Sequence, residues 1–402
     1  MLVLGRIFMY ASLLSRWLEG LCGPAFSVRF WDGKVKTYGQ GTPTVTLTIK
    51  KASVLPEVMR NLTLGFGEAY MRGDIDIEGS ITDVVALFHG TTLKQTSMSF
   101  GARVANRLLR MAHRGRIGQA QKNVEHHYDL GNDFYALWLD RERLYSCAYF
   151  KSPDDTINQA QQNKLNHICK KLFLQPGDTL LDIGCGWGGL VVHAVKHFGV
   201  NAHGITLSAG QYEYAKQRVE REGLNDQITI ERTDYRELVK RGLSFDKVVS
   251  VGMFEHVGQK HISEYMAGTA ALLKEGGVGL LHTIGKMKGL PMEPWIEKYI
   301  FPGAYLPGIG EMLEAMKEFP LRVIDVENLR RHYALTLDWW LKGFEANLEK
   351  IRGMYGESFI RMWRLYLAGS SAGFRYGDLE LWQIQFTKGL RNDLPMTRDY
   401  LS

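Results

Sequence analysis

The chain has 402 residues, 45% of them hydrophobic and 23% charged, with a formal net charge of +6. That length accommodates two or three domains, and that composition excludes a disordered, collagen-like or disulfide-scaffold protein. The four cysteines, Cys22, Cys147, Cys169 and Cys185, form no C-x-x-C pair; they fit a reduced, cytoplasmic chain without disulfides or a metal site.

Residues 1–22 are apolar but broken by Arg6, Arg16 and Glu19. The uninterrupted run is too short to span a bilayer, and the charge falls in the wrong place for an export signal. The expectation is an amphipathic helix that packs on its own domain or rests on a membrane. Residues 26–31 alternate, Asp32 and Gly33 turn, and Val35 to Tyr38 resume the alternation: a β-hairpin. Residues 44–50, entered through Pro43, make a further strand. Residues 52–62 read as helix, 65–79 as a turn followed by a strand, and 82–89 as a short helix. With no cluster of acids or histidines, residues 1–95 describe a small α+β binding or docking domain.

No acidic residue occurs between Asp83 and Glu125, an interval that carries Lys94, Arg103, Arg107, Arg110, Arg114, Arg116 and Lys122. Arg103, Arg107, Arg110 and Arg114 recur at helical spacing and share one face. Such a face suits anionic lipid head groups or nucleic acid, although on charge alone a solvated linker helix is the plainer reading. Residues 96–122 are accordingly a basic helical linker. From 123 onward helices alternate with strands at 179–183, 201–206, 227–231, 245–251 and 276–284, the pattern of a mainly parallel sheet covered on both faces. After 285 the periodicity reads as mostly helical and aromatic-rich to the end, with Trp339, Trp340, Phe344, Trp363, Tyr366, Phe374 and Trp382 at helix-like intervals; a helical cap is expected over about 286–375.

The chemistry gathers at the carboxyl ends of these strands. Leu180 to Leu190 is an apolar run that ends in Asp182, then Gly184, Gly186, Gly188 and Gly189, then a helical pattern. Glycines let a strand turn sharply into a helix and let a ligand approach the backbone. This loop resembles the S-adenosylmethionine (AdoMet) loop of Rossmann-like methyltransferases, with Asp182 placed to hold the ligand's ammonium end. Taken alone it equally fits a dinucleotide site or an ordinary tight turn. The second strand ends at Thr206, with Gln211 in the following turn, neutral groups where many such enzymes place an acid for ribose. The third ends at Asp234 and Tyr235, an acid for an adenine amino group and a ring to cover the base; a helix N-cap is an even alternative for Asp234. The fourth strand runs into Glu255 and His256, of which Glu255 is the better acid–base candidate. His282 stands near the end of the fifth strand, and Tyr145-Ser146-Cys147 precedes the first.

Five segments in order, Tyr145 to Phe150, Asp182 to Gly189, Gly252 to Gly258, Leu281 to Gly285 and Trp295 to Pro302, together with His127 to Tyr135, resemble cyclopropane-fatty-acyl-phospholipid synthases. The resemblance is strong over about 120–395. It extends more weakly to residues 1–95, which look like the small lipid-binding domain of the bacterial synthases. It implies an α/β fold: a Rossmann-like class I AdoMet methyltransferase sheet with a helical cap, residues 123–402, preceded by that small α+β domain. It implies methylene transfer from AdoMet to the double bond of an unsaturated acyl chain in membrane phospholipid. The carbocation so formed loses a proton to a bound bicarbonate and closes to a ring. The pocket carried onto this chain is Cys147, Glu255, His282, the backbone of Ile284, and Tyr333. The cofactor residues are Tyr145, Ser146, Asp182, Gly184, Gly186, Gly188, Gly189, Thr206, Gln211, Asp234 and Tyr235. A peripheral place on the cytoplasmic face of the inner membrane, a homodimer and no nucleic-acid partner are implied as well. Many members carry a cysteine where this chain has Ser370, which excludes a covalent cysteine mechanism there. A methyl- or methylene-branched product would share the first step, and a catalytically idle lipid-binding protein is the reading from another class.

Overall fold

The computed structural model describes residues 2–21, 24–92 and 130–401. The chain divides into two compact units: residues of 1–117 with 293–302 and 340–378, and residues of 118–292 with 303–339 and 379–402. The Arg103–Arg114 face, and with it the linker at 96–122, lies outside the described residues.

The first unit opens with α1 (Leu2–Glu19), whose Leu14 and Leu18 are buried in a core with Phe26, Val28, Val45, Leu47 and Leu55. The expected amphipathic helix therefore packs on its own domain, while Met9 and Leu13 remain exposed. The hairpin is β1 (Pro24–Arg29) with β2 (Val35–Tyr38), antiparallel. Strand β3 (Gln40–Ile49) pairs parallel to β1 and antiparallel to β4 (Ile75–Glu78), giving the order β2-β1-β3-β4. Between them run α2 (Val54–Arg60) and α3 (Leu62–Arg72), then α4 (Ile81–Thr92) after β4. The turn expected at 65 is instead the middle of α3. Gly65 is small there for packing: a Cβ on it would stand 2.5 Å from the carbonyl oxygen of Glu57 in α2. The glycine signal meant helix-on-helix contact rather than a chain reversal. From the later part of the chain, Arg361 donates to the Ile75 carbonyl at 2.7 Å and to Asp76 at 3.0 Å.

The second unit is built on a seven-stranded sheet, preceded by α5 (Asn132–Ala136) and α6 (Ile157–Lys171). Its parallel part is β5 (Thr179–Ile183), β6 (Asn201–Thr206), β7 (Ile228–Arg232), β8 (Phe245–Val251) and β9 (Leu273–Gly285). These are the five expected strands, their ends within three residues of the expectation. Four strands were not expected in the stretch read as helical: short β10 (Leu290–Pro291) and β11 (Tyr305–Leu306) pair with each other, and β12 (Leu321–Asn328) and β13 (Glu380–Lys388) extend the sheet beyond β9, β13 antiparallel to β9 and β12 antiparallel to β13. The sheet order is β12-β13-β9-β8-β5-β6-β7. Trp382 therefore belongs to β13. Seven consecutive residues of β13 are buried, Gln383 and Gln385 among them, although Trp382 to Thr387 alternate apolar and polar residues, a period-two strand signal that the helical reading of this stretch passed over. Both faces of the sheet carry an apolar core. One includes Phe254, Tyr265, Met266 and Met312; the other includes Leu165, Ile168, Val191 and Val195. The chain reverses direction between β5 and β8, and ligands of open α/β sheets bind at the strand ends beside such a switch.

Candidate active site

Strand β5 delivers Asp182 to this switch point. It is 2% exposed, and its Oδ1 has no hydrogen-bond partner. Burial pushes its carboxyl up to about 7, opposed by the charge of Lys164. The loop after it turns through Gly184, Gly186 and Gly188, all at positive φ, into α7 (Gly189–Phe198). At Gly184 the constraint is double: φ is +91°, and a Cβ would lie 2.8 Å from Met253 on the neighbouring loop. Cys185 packs beneath the loop, its sulfur 2.9 Å from where a Cβ of Gly204 in β6 would stand.

At the end of β6, Thr206 Oγ1 donates to Gln211 Oε1 at 2.8 Å, and both residues are buried. Asp234 caps the helix Tyr235–Lys240, accepting from the Arg236 amide at 2.9 Å, and pairs with the Arg236 guanidinium at 2.8 and 2.9 Å. The N-cap reading of Asp234 is therefore realised. Tyr235 is buried in the core, its ring against Gly268 and edge-on to Tyr265. Tyr145 belongs to an aromatic group with Tyr135 and Trp138, and Tyr135 also meets Trp187 of the glycine loop at 5.1 Å.

The second set of candidates meets at the neighbouring strand ends. Glu255, in the turn after β8, is buried; its Oε1 accepts from the Ile284 amide at 2.6 Å and its Oε2 has no partner. Burial pushes its carboxyl up to about 7, against the lowering effect of that amide. His282 on β9 is paired with Val251 across the ladder. Its Nδ1 receives the Gln383 side-chain amide at 3.0 Å, which leaves the ring proton of the neutral imidazole on Nε2, a buried atom without a partner. Desolvation holds this imidazole neutral, its pKa well below the ordinary value. Cys147 is fully buried and its sulfur faces the Leu329 carbonyl at 3.8 Å; burial pushes the thiol up, so it is no thiolate. The same carbonyl accepts from the Tyr333 amide at 3.1 Å, and the Leu329 amide donates to Leu381, which pairs with Ile284. Through these backbone links Cys147, Tyr333, Ile284, Glu255 and His282 share one end of the sheet.

The orphaned atoms test what this region can hold. A carboxylate oxygen of Asp182 beside a glycine loop fits a cationic, amino-acid-like ligand end. Glu255 Oε2 and His282 Nε2, buried and unpaired, fit a small polar group that accepts at least one hydrogen bond. The Ile284 amide, expected to face such a group, is directed to Glu255.

Helix α6 brings residues that sequence reasoning did not single out. Gln161 Nε2 holds the carbonyls of Leu144 and Ser146 at 3.2 and 3.0 Å, and Lys164 Nζ donates to Ser146 Oγ at 2.8 Å. The signal was present: Gln161, Lys164 and Lys171 recur at helical spacing beside Leu165 and Ile168, so polar groups interrupt the apolar face.

Residues 116–384 match the family model described as mycolic acid cyclopropane synthetase, and residues 10–97 match a domain of unknown function. The chain belongs to the mycolic acid cyclopropane synthetase family. It is an AdoMet-dependent methyltransferase. A probable fatty acid methyltransferase of Pseudomonas putida is 38% identical over 92% of this chain and 95% of its own length. The cyclopropane-fatty-acyl-phospholipid synthase of Escherichia coli K12 is 38% identical over 89% and 92%. Among solved structures, the cyclopropane synthase MmaA2 from Mycobacterium tuberculosis is 31% identical with a TM-score of 0.63, covering 68% of this chain and 100% of its own. The mycolic acid cyclopropane synthase CmaA1 complexed with SAH and CTAB is 35% identical, again with a TM-score of 0.63, over 67% and 98%.

Proposed function

We propose that this chain transfers a one-carbon unit from AdoMet to the double bond of an unsaturated acyl chain in membrane phospholipid and closes it to a cyclopropane. The observation that carries the reading is the pair of buried, unpartnered polar atoms, Glu255 Oε2 and His282 Nε2, at the same sheet end as an AdoMet loop. An alkene is a weak nucleophile, so it needs a dry and aligned site. Its attack on a sulfonium methyl leaves a carbocation that water would trap, and one proton must then leave the transferred carbon for the ring to close.

Asp182, with the glycine loop, would hold the ammonium end of the cofactor, and Tyr145 and Ser146 would flank it; Thr206, Gln211, Asp234 and Tyr235 would border the nucleoside. Bicarbonate, when bound, would supply a base that leaves no side chain alkylated. His282 Nε2–H and the Tyr333 hydroxyl would donate to it, and Glu255 would take or share a proton while the Ile284 amide steadies its other oxygen. Cys147 would close the pocket as a neutral thiol. The complex of CmaA1 with SAH and CTAB, a long-chain alkylammonium, supports room for an acyl chain in a protein of this fold. The name of the E. coli relative supports phospholipid as the acceptor, with residues 1–95 and the basic linker meeting the bilayer surface.

The test is incubation with methyl-labelled AdoMet and vesicles of monounsaturated phospholipid, followed by mass spectrometry and proton NMR of the acyl chains. Cyclopropyl protons on chains heavier by one methylene are expected. Vinylidene or branched-methyl protons would overturn ring closure and leave a fatty-acyl methyltransferase; unlabelled lipid would overturn the acceptor.

A further inference from the structure

The second unit buries a lysine that the reaction described above does not use. Lys164 is 1% exposed, and the hydroxyl of Ser146 is a neutral partner for it at 2.8 Å. An ammonium taken out of water at this depth costs several kcal/mol unless charge or hydrogen bonds compensate. Two buried carboxyls act on it through their charge: Asp140, 4% exposed, and Asp182, 2% exposed. Asp140 spends its oxygens on the amides of Glu142 and Leu144, both at 2.9 Å, and so shapes the turn that leads to Tyr145 and Ser146. Asp182 keeps Oδ1 open. The other titratable groups in reach are Glu142, paired with Arg218, and His282, Cys147, Cys169, Cys185 and Tyr265, these last five held neutral by burial.

The charges in this pocket can be counted. Two carboxylates and one ammonium leave a net charge of about minus one in low dielectric. AdoMet carries an ammonium, a sulfonium and a carboxylate, a net charge of about plus one by ordinary acid–base chemistry. We propose that Lys164 is a positioning residue of the cofactor site: its buried ammonium, tied to Ser146, favours the ionised form of Asp182 and so the pocket charge that matches AdoMet. The proposal rests on Asp182 as the partner of the cofactor's ammonium. Without Lys164 two buried carboxyls would have no cation to share, and one would stay protonated at neutral pH. Burial already drives Asp182 up to about 7 and Asp140 up to about 6, and Lys164 down to about 8. Protonation of the site is therefore poised at the pH where the cofactor must bind.

The experiment is calorimetric titration of AdoMet into the wild type and into K164M, K164R, S146A and D182N between pH 6 and 9, in buffers of different ionisation heat. In the wild type, affinity is expected to rise as pH rises through about 7, with about half a proton released per AdoMet bound at pH 7. In K164M the midpoint moves up by a unit or more, so AdoMet binds roughly tenfold more weakly at pH 7, with close to one proton released; the two proteins are compared below about pH 7.5, because above it the cofactor's own amine and Lys164 lose their protons. K164R keeps the wild-type midpoint, and S146A, which removes the hydrogen bond but not the charge, keeps it too. A K164M midpoint equal to that of wild type, or an S146A midpoint shifted as far, would overturn the proposal and leave Lys164 a brace for Ser146. D182N binding with a wild-type pH profile would instead overturn Asp182 as the ammonium partner. Should K164M fail to fold, a pH-independent affinity in the wild type would still overturn the charge argument.

Discussion

Glu255 shows what a single buried carboxyl costs and supplies. Its side chain lies in a turn fixed by the Ile284 amide, with the second oxygen free for chemistry. In E255Q the amide oxygen can still accept from Ile284, but the group can no longer hold or pass a proton. We expect single-turnover methylene transfer to fall at least about a hundredfold, with AdoMet affinity by calorimetry within about twofold; an equal loss of affinity would place Glu255 in the cofactor site instead. Stability should move the other way. The folded carboxyl titrates at about 7 rather than its ordinary 4.5, so the folded state holds the proton more tightly and stability drains as pH rises from about 4.5 to 7. E255Q escapes this loss. It should be more stable than wild type by about 3 kcal/mol at pH 8 and no more stable at pH 4.5, read from denaturant unfolding. Residue type and strand position made Glu255 and His282 legible in the sequence. Lys164 gave a weaker signal: it shares a helical face with Leu165 and Ile168, but a lysine in a polar-looking helix reads as solvated until the packing buries it.

At the scale of elements, five parallel strands could be read because stretches of helical periodicity alternate with short segments of apolar or alternating pattern. Strands β12 and β13 were missed: Trp382 to Thr387 alternate as a strand does, but the aromatic spacing before them reads as helical, and β12 is broken by a register shift between Val323 and Asp325. Glu327 of β12 lies under α6, where it meets His167 at 2.7 Å and Lys171 at 2.6 Å; Lys171 is fully buried. Tyr149 stacks between His167 and His332 at 4.1 and 4.8 Å, and the Phe150 amide donates to His332 at 3.0 Å. This polar layer joins α6, β12 and the segment that carries Cys147 to the start of the helix that carries Tyr333. Burial alone would raise Glu327, but His167 and Lys171 outweigh it and hold the carboxyl at about 2. Its stabilisation is therefore complete above about pH 4.5 and is lost as pH falls toward 2. E327Q leaves Lys171 buried with only Asp325, at 3.6 Å, for charge. We expect E327Q to cost about 2–4 kcal/mol at pH 7, with the gap to wild type closing below about pH 4.5. A gap constant from pH 7 to 3.5 in denaturant unfolding would show that packing, not charge, ties these elements.

Across the whole molecule, the mycobacterial cyclopropane synthases match only about two thirds of the chain while being covered almost entirely themselves. The family model begins at residue 116, so the small domain and most of the acid-free interval between Asp83 and Glu125 fall outside it. No described helix is long and apolar enough to cross a membrane. Under the proposed function, delivery to a bilayer-embedded acyl chain would draw on surface attraction. Seven cations without an acid in that interval give the attraction a source, each worth about 1 kcal/mol near an anionic surface. Replacement of Arg103, Arg107, Arg110 and Arg114 by Gln should therefore weaken binding to vesicles rich in anionic lipid roughly a hundredfold or more. It should leave binding to zwitterionic vesicles and turnover of detergent-dispersed substrate nearly unchanged. Salt gives the independent check. The Debye length falls from about 10 Å at 0.1 M to about 3 Å at 1 M, so sedimentation with anionic vesicles should fade over that range for the wild type and hardly change for the quadruple variant. Binding that ignores both salt and the four substitutions would move the attachment from these arginines to apolar contact, for which the exposed Met9 and Leu13 of α1 would be the next residues to replace.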